Sequence, residues 1–550
     1  MKKISYYILA AWMCALPLFS SCSDMLEEES STEVDKNKYM NNASEAENVL
    51  LGVYRSMISE GLYRYNLSML FDITNDLAQC EGNSNNAFRE VPSNSFTTSN
   101  SSVQTTWSEL YSGIYNANDF IETLESKIGN YTTNDKKVAG VYMAEARALR
   151  ALYYFELVRW YGNVALMTNT AMSRQHPSTF VQADPAAVYR FIETDLQYAI
   201  ENLPYGIDDD IRKNKSFRMS KGAAMGLLTK VYVTWAGYPL RDTSKWEQAA
   251  LTAKELVDSK KHSLLSSYEQ LWKNTCNGVW APEESLIEVS FYAPTVTGSN
   301  NEDPVGRIGK WNGVVANEIA GIRGRNAGNV KVVYTFLRDW EKKDQDLRCN
   351  LSIADYKYVG TVKTPYSTKG ENEDQKNWQL FTPAKWDTEK YVGQSNVLIN
   401  ADYSNINWYV LRYADVLLMY AEALNEWKGS PTQEAYDAVN AVRRRGFGFP
   451  VDVANEASDL TASLSQDGFR KAIRKERAYE LAFEGHRRQD LVRWGEYIKA
   501  IDETDTKLRQ WFPSANYIAY DFTKAGKHEL FPIPQRDKDL MTQFKQNPGW

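Results

Sequence analysis

Seven tryptophans, Trp272, Trp280, Trp311, Trp340, Trp378, Trp386 and Trp408, fall in one stretch, residues 261–408, where Gly, Asn and Pro are frequent and helical periodicity is weak. A second irregular segment, residues 80–106, is rich in Ser, Asn and Thr and carries Phe88, Arg89, Asn94 and Phe96. Indole and phenol rings join a broad apolar face to a polar tip, so they work at half-wet surfaces. Across the chain there are 34 Tyr and 16 Trp against 20 Phe, a bias toward such rings. Binding residues concentrate in loop-rich insertions held by a rigid scaffold. The chemistry these residues offer is therefore non-covalent recognition of a ligand.

Covalent chemistry finds little support. The four histidines, His176, His262, His486 and His528, belong to no HExxH motif and to no pair at metal-ligand spacing, which argues against zinc chemistry. No GxSxG elbow, P-loop, GxGxxG or EF-hand loop occurs, and Asp208, Asp209 and Asp210 lack the glycine that a calcium loop needs. No cofactor is expected; calcium in a loop stays open without a motif behind it. A glycosidase needs only two carboxylates at the correct separation, a condition that 70 acidic residues leave open. His486 lies in Glu484-Gly485-His486-Arg487-Arg488-Gln489-Asp490, which reads either as an acid–base cluster or as a salt-bridged helix end. The near-helical spacing and alternating sign of Glu476, Arg477, Glu480, Arg488, Asp490 and Arg493 favour the second.

The elements that must position the loops read as helical hairpins. Between residues 409 and 446, Val410, Ala414, Leu417, Ala421 and Leu424 step by four, three, four and three along one helix face. Gly429 ends that helix, and Ser430, Pro431 and Gln433 supply an N-cap, a first-turn proline and a capping-box partner for a second one. Similar pairs are expected at 142–161 with 184–203, at 221–236 with 244–259, and at 44–58 with 104–128. Alanines recur along them (Ala144, Ala148, Ala223, Ala224, Ala249, Ala250, Ala253), and small residues let paired helices approach closely. The spacing of the units is irregular, so the array is a divergent TPR-like one. Further helices are expected over 467–495 and 330–342, and a strand over 285–292. The fold class is mainly α: a TPR-like hairpin scaffold with a loop-rich, partly β insertion.

Composition sets outer bounds. A chain of 550 residues with 43% hydrophobic and 24% charged residues builds a large core or two to three lobes. Its 63 basic against 70 acidic residues leave a net charge of −7 without a basic face, so no nucleic-acid partner is expected. Lys2 and Lys3 precede an uncharged run, residues 4–19, and the small pair Ser20 and Ser21 leads to Cys22, with Phe19 where Leu is usual. This resembles the signal peptide and lipobox of a bacterial lipoprotein, in which Cys22 takes a diacylglycerol by thioether; the alternative is a short transmembrane anchor. Residues 1–21 then form the signal and 22–38, with Glu27, Glu28, Glu29 and Glu33, a lipidated tether. The remaining organisation is an N-terminal helical region over 39–260, the loop-rich region over 261–408 and a closing helical region over 409–550. Cys80, Cys276 and Cys349 are far apart and odd in number, so no disulfide framework follows.

Several segments together resemble the SusD/RagB family of outer-membrane nutrient-binding lipoproteins. They are Trp107-x-x-Leu110-Tyr111-x-x-Ile114-x-x-Ala117-Asn118, Ala144-Glu145-Ala146-Arg147-Ala148-Leu149-Arg150, Trp160-Tyr161-Gly162, the run from Arg412 to Ala423, Ile473-Arg474-x-Glu476-Arg477-x-x-Glu480-Leu481-x-Phe483-Glu484-Gly485, Leu530-Phe531-Pro532-Ile533-Pro534, and Gln546-Asn547-Pro548-Gly549-Trp550. Their order covers nearly the whole mature chain. The resemblance implies a lipid anchor in the outer membrane, exposure at the cell exterior, a SusC-like TonB-dependent transporter as partner, and a glycan or, in some branches, a peptide as ligand. The acidic Glu27 to Glu29 looks like the surface-export signal of such lipoproteins. The resemblance also places ligand contacts in the two irregular segments. Trp311 and Trp280 are then the expected stacking platforms and Tyr292, Phe88 and Phe96 secondary ones, because a sugar presents C–H bonds to an aromatic face. Arg89, Asn94, Asn312 and Arg323 are available for its hydroxyls. Competing readings pack Trp280 beneath the following strand, place Phe96 in the core, or give Trp311 to a protein interface. Capture without catalysis leads, with a peptide-binding member or a ligand-free TPR-like adaptor as alternatives.

Overall fold

The computed structural model describes residues 39–81, 89–294, 304–366, 377–393, 400 and 402–550. Cys22 and its tether lie outside the described residues. The N-terminal half contains α1 (Ala43–Arg55), α2 (Ser101–Lys127), α3 (Thr133–Tyr161), α4 (Pro185–Asn202), α5 (Lys221–Ala236) and α6 (Lys245–Asp258). After the central segment come α7 (Tyr413–Lys428), α8 (Gln433–Gly446), α9 (Gln466–Leu481), α10 (Arg487–Arg493), α11 (Tyr497–Trp511) and α12 (Gln535–Leu540). Successive helices from α2 to α8 pack on one another, with α6 meeting α7 across the intervening 154 residues. The seven alanines singled out in the sequence are all buried in these contacts. Side chains of Asn100, Thr132, Asp184 and Ser220 accept backbone N–H groups at the starts of α2, α3, α4 and α5; such caps contribute about 1 kcal/mol each. The mainly α, TPR-like scaffold is present as expected.

Four local expectations are corrected. Residues 408–412 begin not as helix but as a strand, β4 (Trp408–Arg412), antiparallel to β2 (Ser285–Val289); the two strands close the central segment at its ends. The second helix of that hairpin is capped by Thr432, whose side chain accepts from the Ala435 N–H, rather than by Ser430. The expected helix over 330–342 is instead β3 (Val330–Val332), paired with β1 (Ala78–Cys80), followed by a single helical turn at Tyr334–Arg338. The long helix over 467–495 breaks after Leu481, because Phe483 and Gly485 take positive φ values of 68° and 79°. The break turns Glu484 inward onto Lys385 and Arg412.

That inward turn completes a fully buried ionic cluster. Arg412 donates to Glu484 at 2.7 and 2.8 Å, to Glu480 at 2.9 Å and to Glu284 at 3.0 Å. Arg445 bridges Glu284 and Glu480, and Arg348 joins Asp346, Glu476 and Glu480. Burial alone would raise the Glu480 carboxyl, but Arg445, Arg412 and Arg348 hold it down to about 2. A neighbouring network runs Lys230–Asp415–Arg477–Asp490–Arg493–Glu422. His486 sits inside it, 2.9 Å from Lys230 Nζ, with burial and that cation holding the imidazole well below its usual range. The salt-bridged reading of this segment is therefore the one the geometry supports.

A buried carboxyl without an ion pair lies on β2. Glu288 on β2 accepts from Ser285 Oγ and Asn407 Nδ2, and burial raises it from 4.5 to about 7. A folded-state value above the unfolded one means that its favourable contribution is complete below pH 4.5 and is lost as pH rises through 7. Glu288→Gln is expected to leave urea stability unchanged at pH 4.5 and to raise it by about 3 kcal/mol at pH 8. Equal effects at both pH values would contradict this.

Candidate functional site

Two half-buried aromatics, Trp311 and Tyr65, meet in one place, with the buried Tyr403 beside them. Trp311 rides on a tight turn. Gly309 takes φ of 80°, and a Cβ on Gly313 would fall 2.6 Å from the Trp386 carbonyl, so the turn needs glycine at both ends. Asn312 Oδ1 accepts the Gly309 N–H at 2.7 Å across the turn, and the Trp311 carbonyl accepts the Asn329 N–H at 2.7 Å just before β3. Tyr65 stands at the break between two wide helical turns, Glu60–Arg64 and Asn66–Leu70, with φ of −150°. Wide turns of this kind re-aim a side chain out of regular spacing.

The two rings meet at 5.7 Å between centroids and 60°, so they form a bent wall rather than a stack. Arg307 lies one turn before Trp311, and its guanidinium is 5.4 Å from the Tyr65 ring, 5.9 Å from Trp311 and 5.5 Å from Tyr403. Its Nη2 pairs with Glu60 Oε1 at 3.2 Å. Burial raises the Glu60 carboxyl while Arg307 and Arg64 oppose the rise. Beside it, Glu109 accepts Ser59 Oγ and the Gly61 N–H, both at 2.5 Å, pinning the first wide turn to α2. The arrangement presents apolar ring faces edged by a planar donor fork and a carboxylate. That combination suits a ligand with C–H faces and hydroxyl edges.

The other residues picked from the sequence go elsewhere. Trp280 is half-buried against Phe217, at 6.3 Å, and next to Gly206, on the loop after α4. Tyr292 is 58% exposed and hydrogen bonds through its N–H to the Pro304 carbonyl. Phe88 lies outside the described residues. Arg89 is half-buried beside the Cys80 thiol, which burial raises to about 11. Four residues are corrected from ligand contacts to framework. Phe96 is 2% exposed and packs against Phe531 at 5.1 Å and Trp550 at 4.7 Å. Asn94 is equally buried, donating to Tyr497 Oη and Thr523 Oγ1 and accepting from Arg488. Asn312 holds the turn under Trp311, and Arg323 pairs with Glu389 at 2.6 Å and donates to the Gly360 carbonyl. Trp272, Trp340, Trp386 and Trp408 are core rings as well.

Asn94→Ala is accordingly expected to cost about 1–2 kcal/mol of stability, through lost hydrogen bonds and a positive φ, while leaving ligand affinity within twofold. A thermal melt alongside a binding titration checks both halves. Sequence reasoning missed Tyr65, Arg307, Tyr403 and Glu60. The i, i+4 spacing of Arg307 and Trp311 was the one legible signal for Arg307. Among the described residues, no three His, Cys, Asp or Glu side chains are grouped to hold a metal ion.

Comparison with known proteins adds the family. The model of the SusD family matches residues 330–550, and a second, described as starch-binding associating with outer membrane, matches residues 24–233. A SusD homolog from Bacteroides thetaiotaomicron is 58% identical, with a TM-score of 0.91, over 95% of this chain and all of that one. The chain belongs to the SusD/RagB family. A solved laminarin binding SusD-like protein is 28% identical over 93% of this chain and all of its own, with a TM-score of 0.66. SusD-like protein P25 of Formosa agariphila is 26% identical over 98% of this chain and 96% of its own length. Among the described residues of this SusD-family chain, no helix is long and apolar enough to cross a membrane.

Proposed function

We propose that this SusD-family protein captures a glycan at the cell surface and passes it to a SusC-like TonB-dependent transporter, without catalysing a reaction on it. The observation that carries this reading is the bent wall of Trp311 and Tyr65, edged by Arg307 and Glu60. Ring faces take the C–H surface of a pyranose, and the guanidinium and carboxylate take its hydroxyls. The similarity to a laminarin binding SusD-like protein supports a glycan rather than a peptide. Lipidation at Cys22 anchors the chain in the outer membrane and the tether holds the folded part off the bilayer, outside the cell.

Affinity electrophoresis of the chain from Ser23 onward against plant, host and microbial polysaccharides tests the ligand class. Retardation by at least one polysaccharide is expected, with no release of reducing ends on prolonged incubation. Retention by peptides alone would overturn the glycan reading, and product release would overturn the absence of catalysis.

A further inference from the structure

The same helix that holds the first wide turn through Glu109, α2, carries two parallel rows of side chains. Trp107, Tyr111 and Tyr115 follow one another at intervals of four, and because Trp107 is only 1% exposed the rings a ligand can reach are those of Tyr111 and Tyr115; Ser108, Ser112 and Asn116 repeat the interval one residue on and form a polar row. Both rows line a groove of about 390 Å³ whose opposite walls are Phe180 and Met167 on one side and α12 with Met541 on the other. The walls are tied together. Gln182 and Lys545 exchange hydrogen bonds at 3.0 and 2.7 Å, Gln543 donates to the Ser178 carbonyl at 3.0 Å, and Gln104 on α2 donates to Asp537 at 2.6 Å.

The rings are close and fixed. Trp107 and Tyr111 meet edge to face at 5.0 Å, and the Tyr111 hydroxyl is spent on the Ala165 backbone, so Tyr111 offers its ring and not its oxygen. The polar row keeps spare valences. Ser108 Oγ accepts from Gln104, leaving its O–H to donate; Ser112 Oγ donates to the Ser108 carbonyl, leaving its lone pairs; Tyr115 Oη accepts from Arg174 at 3.3 Å, leaving its O–H. Among the described residues none hydrogen bonds the exposed Asn116 amide. Asp537, already bonded to Gln104, is the one acidic or basic side chain in the lining. Four residues of helix rise about 6 Å, close to the length of a pyranose unit, so a ring row beside a hydroxyl row at that interval matches successive sugars.

We propose that this groove is a second carbohydrate subsite, for a neutral glycan segment of about two pyranose units, separate from the Trp311 wall. The ligand class rests on the glycan reading above; the site does not. The one acidic side chain in the lining, Asp537, and the absence of a lining cation select against uronates and sulfated sugars.

Methionine-methyl and indole NMR separate the two sites, because Met167 and Met541 line the groove and the Trp311 indole reports the other wall. The folded chain, labelled with methyl-¹³C methionine and ¹⁵N-indole tryptophan, is titrated with maltose, cellobiose, laminaribiose, xylobiose and mannobiose to about 50 mM, enough to populate a site with Kd in the tens of millimolar. The expected result is movement of the Met167 and Met541 methyls by at least one disaccharide. That movement persists in Trp311→Ala and disappears in Tyr115→Ala and, more gently, in Asn116→Ala. Methyls that stay still with all five sugars overturn the groove, whatever Trp311 does. Moving methyls with a silent Trp311 indole uphold the groove and count against the first wall.

Discussion

Arg412→Ala is expected to cost about 3–5 kcal/mol of stability or to prevent folding altogether. Arg412 is 1% exposed and makes contacts to Glu284, Glu480 and Glu484, so it joins two distant parts of the chain to its own. Removing it leaves these carboxylates facing one another, with only Arg445, Arg348 and Lys385 to balance them. The penalty comes from uncompensated buried charge rather than from the worth of the pair itself. Arg412→Lys restores the charge but cannot reproduce the fork that reaches Glu484 through two nitrogens and Glu480 and Glu284 through a third. It is therefore expected to recover less than half of the loss. Chemical denaturation of the three proteins checks this; an alanine variant within 1 kcal/mol of the parent would show that the cluster is not what joins the central segment to the closing helices.

Trp311→Ala is the second large effect. Truncating a central aromatic anchor at a binding surface typically costs 2 kcal/mol or more, so affinity for the retained glycan is expected to fall by about 30-fold to 100-fold. The ring is half-buried and its turn is held by backbone and Asn312 bonds that the substitution leaves in place, so the melting temperature is expected to move by only a few degrees. Arg307→Ala removes the fork and frees Glu60 from its partner, and is expected to weaken binding less than loss of the ring. The ordering of these two variants separates a stacking site from an electrostatic one.

How far these features were legible follows from the range of the contacts that make them. Hairpins were legible because Ala144, Ala148, Ala223 and Ala224 mark helix contacts by local spacing alone. The strand at Trp408–Arg412 was not, since a run buried on every side carries no period to distinguish it from helix. Nor was the break at Phe483 and Gly485, whose reason is a distant one: Glu484 must reach Lys385 and Arg412. Trp311 stood out through its polar flanks, Lys310 and Asn312. The structure buries both, at 4% and 2% exposure, and uses Asn312 to shape the turn that presents the ring. Tyr65, Arg307 and Tyr403 come from segments up to 338 residues apart and meet only in the fold. Asn94 and Phe96 lie in a loop by sequence but are drawn inward by Tyr497, Phe531 and Trp550 near the far end of the chain.

Capture of a glycan on the wall of Trp311 and Tyr65 is tested most directly by calorimetric titration of the polysaccharide found by electrophoresis into the parent protein, Trp311→Ala and Tyr65→Ala. Parent binding with at least a 30-fold loss in each variant, at unchanged far-UV circular dichroism, is the result predicted. Parent-like affinity in both variants would contradict it and move the site away from this wall.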